Sequence, residues 1–270
     1  MSNKVNLQLT VVLLCIMLMF SCATEFEKVR SSNDAKLILE KGHQYFEEGD
    51  YAAAQSLYEL AIQTYRGRAE AEKLFFNYAY TYYHLGEFIT ASYYFKNFAN
   101  TYYNSEKREE ADFMAAYSNV RLSPNHRLDQ TYSEKAIEGL QEFVNKYPYS
   151  DRIAECNKII DQLRTKLEQK SFEQGLLYYN MGQYQAANQS FLGTLKDFPG
   201  SKDEDEIKYL LIKSNYNLAV NSIIGKREER LQETVVLCNK YKDKIKNRVF
   251  KKEVSDIQKS AINQLKSIRS

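Results

Sequence analysis

Three segments of this 270-residue sequence repeat one spacing of small and aromatic residues, and this repeat constrains the fold more than any other feature. The segments GHQYFEEGDYAAAQSLYELA, AYTYYHLGEFITASYYFKNF and GLLYYNMGQYQAANQSFLGT begin at residues 42, 79 and 175 and align without a gap. Each carries a small residue, an aromatic residue, a glycine, a second aromatic residue, an alanine and a third aromatic residue at the same offsets. In the first segment these positions are Gly42, Tyr45, Gly49, Tyr51, Ala54 and Tyr58. The spacing predicts a structural unit that recurs along the chain.

The repeated residues predict a hairpin of two antiparallel helices. Small residues at Gly42 and Ala54 let the helices touch, and Gly49 suits the left-handed turn that ends the first helix. Ten glycines and three prolines, against 22 tyrosines and 14 phenylalanines, also favour a mostly helical body. One hairpin cannot bury its own apolar face, so we expect several to stack. The motif resembles the tetratricopeptide repeat, which implies an all-α, right-handed solenoid of about five hairpins with a C-terminal capping helix.

Two stretches lengthen the repeat beyond its usual size. In the third hairpin, EEADFMAAYSNVRL predicts the first helix and the second begins near Thr131, which leaves SPNHRLDQ as an inserted loop. Pro124 stops the helix before the loop, and Thr131 with Glu134 has the spacing of a capping box. In the fourth hairpin, residues 151–182 are predicted to form one helix of about 30 residues. Serines in the junctions between hairpins are predicted to cap the helices that follow: Ser105, Ser150 and Ser201.

The C-terminal region is predicted to close the solenoid with an amphipathic helix. Its apolar face is expected to consist of Ile245, Val249, Val254, Ile257, Ala261, Leu265 and Ile268. Residues 226–270 hold 13 Lys and Arg against six Asp and Glu, whereas residues 22–225 hold 23 against 29. The basic segment is therefore either a solvated cap or a surface for an acidic partner domain or anionic lipid. No nucleic-acid-binding motif accompanies these charges, so nucleic acid is not an expected partner.

The N-terminal residues indicate export followed by lipidation. The apolar run from Leu7 to Phe20 spans 14 residues, fewer than the roughly 20 that a membrane-spanning helix needs, so we expect a cleaved signal peptide over 1–21. The run ends at Ser21-Cys22, which resembles the lipobox of bacterial lipoproteins. That resemblance implies acyl chains, palmitate among them, on Cys22, and Ala23 in place of Asp favours the periplasmic face of the cell outer membrane. An ordinary signal peptide with an incidental cysteine is the alternative.

Cysteine and histidine usage gives no support for a metal centre or an enzyme. Cys156 and Cys238 either pair or are both buried thiols, and their places on the apolar sides of helical patterns favour buried thiols. The histidines, His43, His84 and His126, lie on two repeats and a loop without the spacing of metal ligands. No nucleophile elbow or phosphate-binding glycine loop is present. We therefore expect no catalytic residues, no metal and no cofactor.

These features predict an order of segments along the chain. A signal peptide at 1–21 and a lipidated linker at 22–33 precede three repeats at 34–148. Two further repeats at 149–243 and a basic capping helix at 244–270 follow.

The whole arrangement is similar to the BamD family, the lipoproteins of the outer-membrane β-barrel assembly machinery. The lipobox, the tetratricopeptide-like hairpins, the over-long fourth helix and the phrase LSPNHRLDQT followed by KAIEGLQEFVNKYPYS carry the resemblance, which covers residues 26–242. It implies that the C-terminal repeats dock a periplasmic domain of a BamA-like β-barrel assembly protein. It also implies that the N-terminal repeats meet unfolded outer-membrane proteins before insertion.

Aromatic residues opposite the small contact residue of each first helix are candidates for a substrate groove. They are Phe46, Phe76, Tyr80, Tyr83, Phe113 and Tyr117. Tyr and Phe offer large contact areas at low entropic cost, which suits an extended segment with alternating or terminal aromatic side chains. A core role is the alternative for each of them, since helical aromatic residues are usually buried. In the inserted loop, Asn125, His126 and Arg127 either contact a partner or cover the end of the hairpin.

Three classes of function stay open from the residues alone. The first is an assembly scaffold of the BamD kind. The second is another lipidated tetratricopeptide adaptor, such as one for secretin or pilus assembly, and co-purification with a large β-barrel protein bearing periplasmic repeats separates the two. The third is an envelope enzyme for cell-wall or glycan substrates, which needs converging carboxylates that a solenoid rarely offers.

Overall fold

A computed structural model describes residues 25–269, and this part of the chain is helical without a strand. We number its long helices in chain order. They are α1 (Ala35–Glu48), α2 (Tyr51–Tyr65), α3 (Ala71–His84), α4 (Phe88–Thr101), α5 (Arg108–Leu122), α6 (Thr131–Lys146), α7 (Ile153–Asn180), α8 (Tyr184–Asp197), α9 (Glu204–Val220), α10 (Ile224–Tyr241) and α11 (Arg248–Arg269). Residues 25–30 are also helical, and Lys242–Lys244 form a 3-10 turn. The predicted signal peptide and the predicted lipidation site, Cys22, lie outside the described residues.

The helices form five successive hairpins, from α1 and α2 to α9 and α10, followed by α11, as the repeat predicted. The predicted long helix of the fourth hairpin is confirmed as α7, with 28 residues. The chain divides into two compact units, one of residues 25–124 with 131–160 and the other of residues 125–130 with 161–269. We call these the first and second units.

A glycine in the left-handed conformation ends the first helix of three hairpins, as the aligned glycines predicted. Gly49, Gly86 and Gly182 have φ angles of 84°, 81° and 73°. At Gly49, the glycine N–H donates to the carbonyl of Phe46 and the next N–H donates to the carbonyl of Tyr45. The other two turns repeat the same pair of hydrogen bonds. A left-handed glycine thus satisfies carbonyl groups that the helix end leaves without partners.

The small residues of the repeat set how closely the two helices of a hairpin approach. A Cβ at Gly42 would lie 3.0 Å from a ring carbon of Tyr58, and a Cβ at Gly175 would lie 2.5 Å from a ring carbon of Phe191. Both rings are fully buried. Each glycine therefore leaves the space that an aromatic ring of the second helix occupies.

The second unit is closed by α11, as predicted for the capping helix, although two positions differ. Ile245, Val254 and Ala261 are buried against α9 and α10. Val249 and Ile268 are 63% and 38% exposed, so their predicted place on the apolar face is wrong. Phe250 packs instead of Val249, with its ring stacked on Tyr209 at 4.8 Å.

The junction serines do not cap the following helices, which corrects the sequence-based expectation. Each helix begins three residues after its serine, and each serine hydroxyl accepts from the backbone N–H two residues ahead, as at Lys107. The hydroxyls donate to glutamates of the preceding hairpin: Ser105 to Glu72, Ser150 to Glu109 and Ser201 to Glu168. Glu204, at the start of the helix that follows Ser201, pairs with Lys208 at 2.6 Å. The serines therefore link consecutive hairpins.

Both described cysteines are free and buried, which confirms the favoured interpretation. Burial raises the pKa of Cys156 to about 11 and that of Cys238 to about 12. Both thiols therefore remain protonated at neutral pH.

Candidate functional site

A continuous row of aromatic rings runs across the three hairpins of the first unit. We call it the aromatic face, and it consists of Phe46, Tyr51, Tyr80, Tyr83, His84, Phe88 and Tyr117. Phe46 meets Tyr51 edge-on at 5.6 Å, and Tyr51 stacks on His84 at 4.0 Å with an interplanar angle of 9°. His84 lies 5.8 Å from Tyr80, which is 6.5 Å from Tyr83. Rings from α1, α2 and α3 thus form one surface.

The row continues onto the third hairpin and includes one cation. Tyr83 lies 6.5 Å from Tyr117 and 5.3 Å from Phe88. The guanidinium of Arg121 sits 4.8 Å from the Phe88 centroid and 5.9 Å from that of Tyr83, and it donates to the Tyr83 hydroxyl at 3.4 Å. Arg121 is exposed. The face therefore offers aromatic area together with a positive charge that suits a carboxylate.

The structure divides the six predicted groove residues into two groups. Phe46, Tyr80, Tyr83 and Tyr117 are partly exposed and belong to the aromatic face. Phe76 and Phe113 are only 6% and 3% exposed, so their expected exposure in a groove is corrected. Their rings pack on Phe98 and Phe143 in the core of the first unit. They support the face from beneath, where Phe113 stacks on Tyr117 at 5.4 Å.

Tyr80 is held more firmly than the other tyrosines of the face. Its hydroxyl donates to Glu110, and its ring packs edge-on against Phe95 at 4.8 Å. Burial, with help from the Glu110 hydrogen bond, raises the pKa of Tyr80. Tyr80 is therefore a neutral anchor of the face, while Tyr83 and Tyr117 are better placed to adapt to a ligand.

Sequence reasoning assigned no site role to Tyr51, His84, Phe88 or Arg121. Tyr51 and Phe88 occupy the same position of the repeat, the first residue of the second helix. Their equivalence was a usable signal, because a side chain at a turn is near both helices of its hairpin. Arg121 had no such signal, since its contacts with Tyr83 and Phe88 join two different hairpins.

Below the aromatic face, His43 gives the first unit a stability that depends on pH. Its Nδ1 lies 2.7 Å from the Tyr58 hydroxyl, which also accepts from Asn77. Burial, with help from Lys73, lowers the pKa of His43 from 6.5 to about 4. The imidazole of His43 therefore binds a proton more readily in the unfolded chain than in the folded one. The contribution of neutral His43 to stability is complete above its unfolded-state pKa and is lost as the pH falls through its folded-state pKa.

We expect the free energy of unfolding to fall by on the order of 2 kcal/mol on acidification from about pH 7 to about pH 4 through His43 alone, after allowance for its partial exposure. Denaturant titrations of the protein and of His43→Gln over this range measure the effect. The variant should show a shallower pH dependence. Parallel curves for the two proteins would exclude His43 as the source.

The inserted loop has its expected length, from Ser123 to Gln130, and belongs to the second unit together with the part of α7 after residue 160. His126 Nε2 lies 2.9 Å from Glu173 Oε2, and Lys170 Nζ donates to the carbonyl of Leu128. The Asn125 side chain accepts from the Arg127 N–H. The loop is thus held by α7. The side chain of His126 is 16% exposed and that of Arg127 80%.

The second unit carries a cluster of positive charges where α10 is followed by α11. The cluster consists of the exposed residues Lys244, Lys246, Arg248 and Lys252, and none of these side chains forms an ion pair with another described residue. Asp205 accepts from the backbone N–H groups of Lys246 and Asn247 and fixes this segment. The neighbouring Lys251 is paired with Asp243 at 3.3 Å.

Comparison with known proteins identifies the family. The model of the YfiO family, described as an outer membrane lipoprotein, matches residues 31–231. The chain belongs to the YfiO family of outer membrane lipoproteins. The match covers the helices from α1 to the middle of α10 and includes the inserted loop. The family model therefore spans the first four hairpins and part of the fifth.

One curated relative of this YfiO family member is the putative outer membrane protein assembly factor BamD of Aquifex aeolicus strain VF5. It is 26% identical over 251 residues, which are 92% of this chain and 81% of the relative. Solved structures with similarity include a TPR repeats protein from Bacteroides fragilis, with 14% identity, a TM-score of 0.38 and coverage of 86% of this chain and all of that one. A thermophilic TPR protein from Thermus thermophilus has 18% identity, a TM-score of 0.32 and coverage of 84% and 98%.

Within the described part of the chain, no three His, Cys, Asp or Glu side chains are placed to hold a metal ion. No helix there is long and apolar enough to cross a membrane.

Proposed function

We propose that this chain is a non-enzymatic scaffold for outer membrane protein assembly, held at the periplasmic face of the outer membrane by lipid on Cys22. In this proposal the aromatic face binds unfolded outer-membrane proteins, and the C-terminal repeats dock a periplasmic domain of a BamA-like β-barrel assembly protein. The family, and the name of the Aquifex relative, support the assembly role. The aromatic face is the observation that carries the proposal for this chain.

The chemistry of the aromatic face suits an unfolded β-barrel segment. Such a segment in extended form presents every second side chain to one side, and in barrel proteins the side that will face lipid is apolar and often aromatic. The row from Phe46 to Tyr117 offers rings at spacings of 4.0–6.5 Å to receive those side chains. Arg121 at its end can pair with a carboxylate of the bound segment.

Photocrosslinking tests this substrate role. Tyr83 is replaced by p-benzoylphenylalanine in the full lipoprotein, and the same substitution at Tyr149, which is 97% exposed and outside the face, is the matched control. An unfolded outer-membrane protein diluted from urea should crosslink from position 83 and much less from position 149. Equal crosslinking at both positions would refute binding at the face.

The partner role is proposed for the basic cluster of the second unit and for the inserted loop. The four unpaired cations form a surface for an acidic domain. In the inserted loop, the exposed side chain of Arg127 is a candidate for contact with the same partner. Lipid is the other acidic surface available to an anchored protein. Binding to a periplasmic protein domain in the absence of lipid distinguishes the two.

Co-purification from solubilised membranes tests the partner role. Reversing Lys244, Lys246 and Lys252 to glutamate should reduce recovery of the BamA-like protein at least tenfold, and Arg127→Glu should reduce it less, because one rim charge has a small effect. A matched triple reversal in the first unit, at the exposed residues Lys36, Lys73 and Lys158, should leave recovery unchanged. Loss in both triple variants would assign the effect to net charge alone.

A further inference from the structure

The first unit also has a groove that shares no residue with the aromatic face. Its volume is about 540 Å³, with α5 as its floor and α4 and α6 as its walls. Each helix contributes residues at helical spacing, such as Ile89, Tyr93 and Asn97 from α4. Ile89 and Tyr93 are 60% and 61% exposed.

The preceding hairpin shows what can fill this position. Residues of α5 lie 37 positions after their counterparts in α3, so Ala115 and Asn119 correspond to Tyr78 and Tyr82. Gly139 of α6 corresponds in the same way to Tyr94 of α4, since each follows the small residue of its helix by three positions.

Between the first two hairpins the three tyrosines pack together and close the gap. Tyr82 stacks on Tyr94 at 5.0 Å, and Tyr78 meets Tyr94 edge-on at 4.9 Å. One repeat later, Ala, Asn and Gly stand in these places. The groove therefore lies where the preceding hairpin holds three aromatic rings.

The helices cannot close the groove by moving together. A Cβ at Gly139 would lie 3.0 Å from the Cβ of Ala116, so α6 already touches α5 at the floor. The Ser92 hydroxyl donates to the carbonyl of Ala115 and accepts from Asn119, which ties α4 to α5 as well. The space is consequently built into the packing of the hairpins.

The charges around the groove balance and favour an uncharged ligand. Three cations and three anions line it: Lys96, Lys135, Lys146, Asp112, Glu138 and Glu142. Lys146 pairs with Asp112 at 2.6 Å, and Lys96 reaches Glu142 on the opposite wall at 3.9 Å. A ligand of either sign would have to break these pairs or lie beside a like charge.

Free amide groups along the groove match a peptide backbone. The carboxamides of Asn97 and Asn100 make no hydrogen bond with other described residues, and Asn119 uses its Nδ2 but not its Oδ1. A carboxamide offers one acceptor and donors in the geometry of a peptide group. Small apolar residues below and amides above are the surroundings of an aromatic side chain inserted from a bound peptide.

We propose that this groove docks an uncharged segment of a partner polypeptide by accepting its tyrosine side chain. The ring occupies the space above Ala115, Ala116 and Gly139, where the preceding repeat holds its own tyrosines. The tyrosine hydroxyl donates to Asn119 Oδ1, and the flanking peptide groups pair with Asn97 and Asn100. This site goes beyond the proposed function, because it does not involve the aromatic face or the basic cluster.

Methyl NMR of the purified full chain, labelled at alanine, tests the site with N-acetyl-tyrosine N-methylamide as the probe. The Ala115 and Ala116 methyl signals should shift saturably, with a Kd on the order of 1 mM. The corresponding alanine and glutamate amides should bind at least tenfold more weakly. No saturable shift at these methyls, or equal binding of the alanine amide, would overturn the proposal.

Two variants fill the groove and one serves as the control. Asn119→Tyr restores the tyrosine of the preceding repeat, and Ala115→Met fills the floor in case the first variant does not fold. Either should weaken the probe at least tenfold, whereas Gln141→Tyr, exposed on α6 outside the groove, should not. Undiminished binding to a folded filled variant would contradict the proposal. So would light scattering that shows a dimer of the native chain which Asn119→Tyr dissociates, because the groove would then join two copies.

Discussion

Replacing Gly175 with alanine is expected to destabilise the second unit by about 2 kcal/mol, although alanine is the better helix former by about 1 kcal/mol. The added Cβ would lie 2.5 and 2.7 Å from two ring carbons of Phe191. That ring is fully buried on α8 and also meets Phe172 at 6.3 Å, so it has no free direction in which to move. The helices must separate or the ring must leave its rotamer.

Gly193→Ala is the matched control, because Gly193 also lies inside a helix but a Cβ added there would have no atom within 4 Å. It should stabilise the protein by about 0.5–1 kcal/mol. Urea titrations followed by circular dichroism suit both variants, since the chain has no tryptophan to report unfolding. Stabilisation by both substitutions would show that the ring of Phe191 can move aside for a Cβ at position 175.

Ending the chain after Tyr241 is expected to unfold the second unit. The removed segment supplies the buried Ile245, Val254 and Ala261, and it covers Tyr209 with Phe250. Each large apolar side chain contributes about 1.5–3 kcal/mol on burial, so the loss is of order 5–10 kcal/mol and equals the whole stability of many domains. Helical circular dichroism and proteolysis of the second unit measure the result.

Ending the chain after Lys266 is the control for that truncation. It removes Ile268, which is partly exposed, and leaves Val254 and Ala261 in place, so stability should change by less than about 0.5 kcal/mol. If the second unit stays folded in the chain that ends after Tyr241, α11 is not part of its core. The expected unfolding also explains why charge reversal, and not truncation, is the proper test of the basic cluster.

The repeat predicted local structure well because the residues that make a hairpin are neighbours in sequence. Gly49 and its equivalents end helices through contacts within four residues, and Gly42 and Gly175 touch rings on the next helix. The inserted loop and the length of α7 followed from the same periodicity. None of these features requires knowledge of which hairpins pack together.

Contacts between hairpins account for what the sequence did not predict. Apolar spacing alone could not separate Phe76 and Phe113, which are core, from Tyr80 and Tyr83, which lie at the surface of the same helix type. The junction serines were interpreted as caps because their acceptors, such as Glu72 for Ser105, lie more than 30 residues away in sequence. Asn247, which accepts from the N–H groups of Val249 and Phe250, places the start of α11, and thereby turns Phe250 rather than Val249 inward.

Tyr83 and Tyr117 provide the sharpest test of the aromatic face as a binding site. Tyr80 is a poorer choice, because its ring and its bond to Glu110 also support the fold. The control is the pair Tyr103 and Tyr149, which are 64% and 97% exposed and lie outside the face. Unchanged circular dichroism should accompany both double alanine variants.

The decisive measurement is the affinity of these two double alanine variants for a labelled peptide from the last strand of an outer-membrane β-barrel protein, followed by fluorescence anisotropy. Removing two aromatic contacts at a binding centre should weaken binding about 30-fold or more, since each is worth about 1 kcal/mol or more. The Tyr103 and Tyr149 variant should bind like the native chain. Native affinity in a folded Tyr83 and Tyr117 variant would contradict the role of the aromatic face in receiving unfolded outer-membrane proteins.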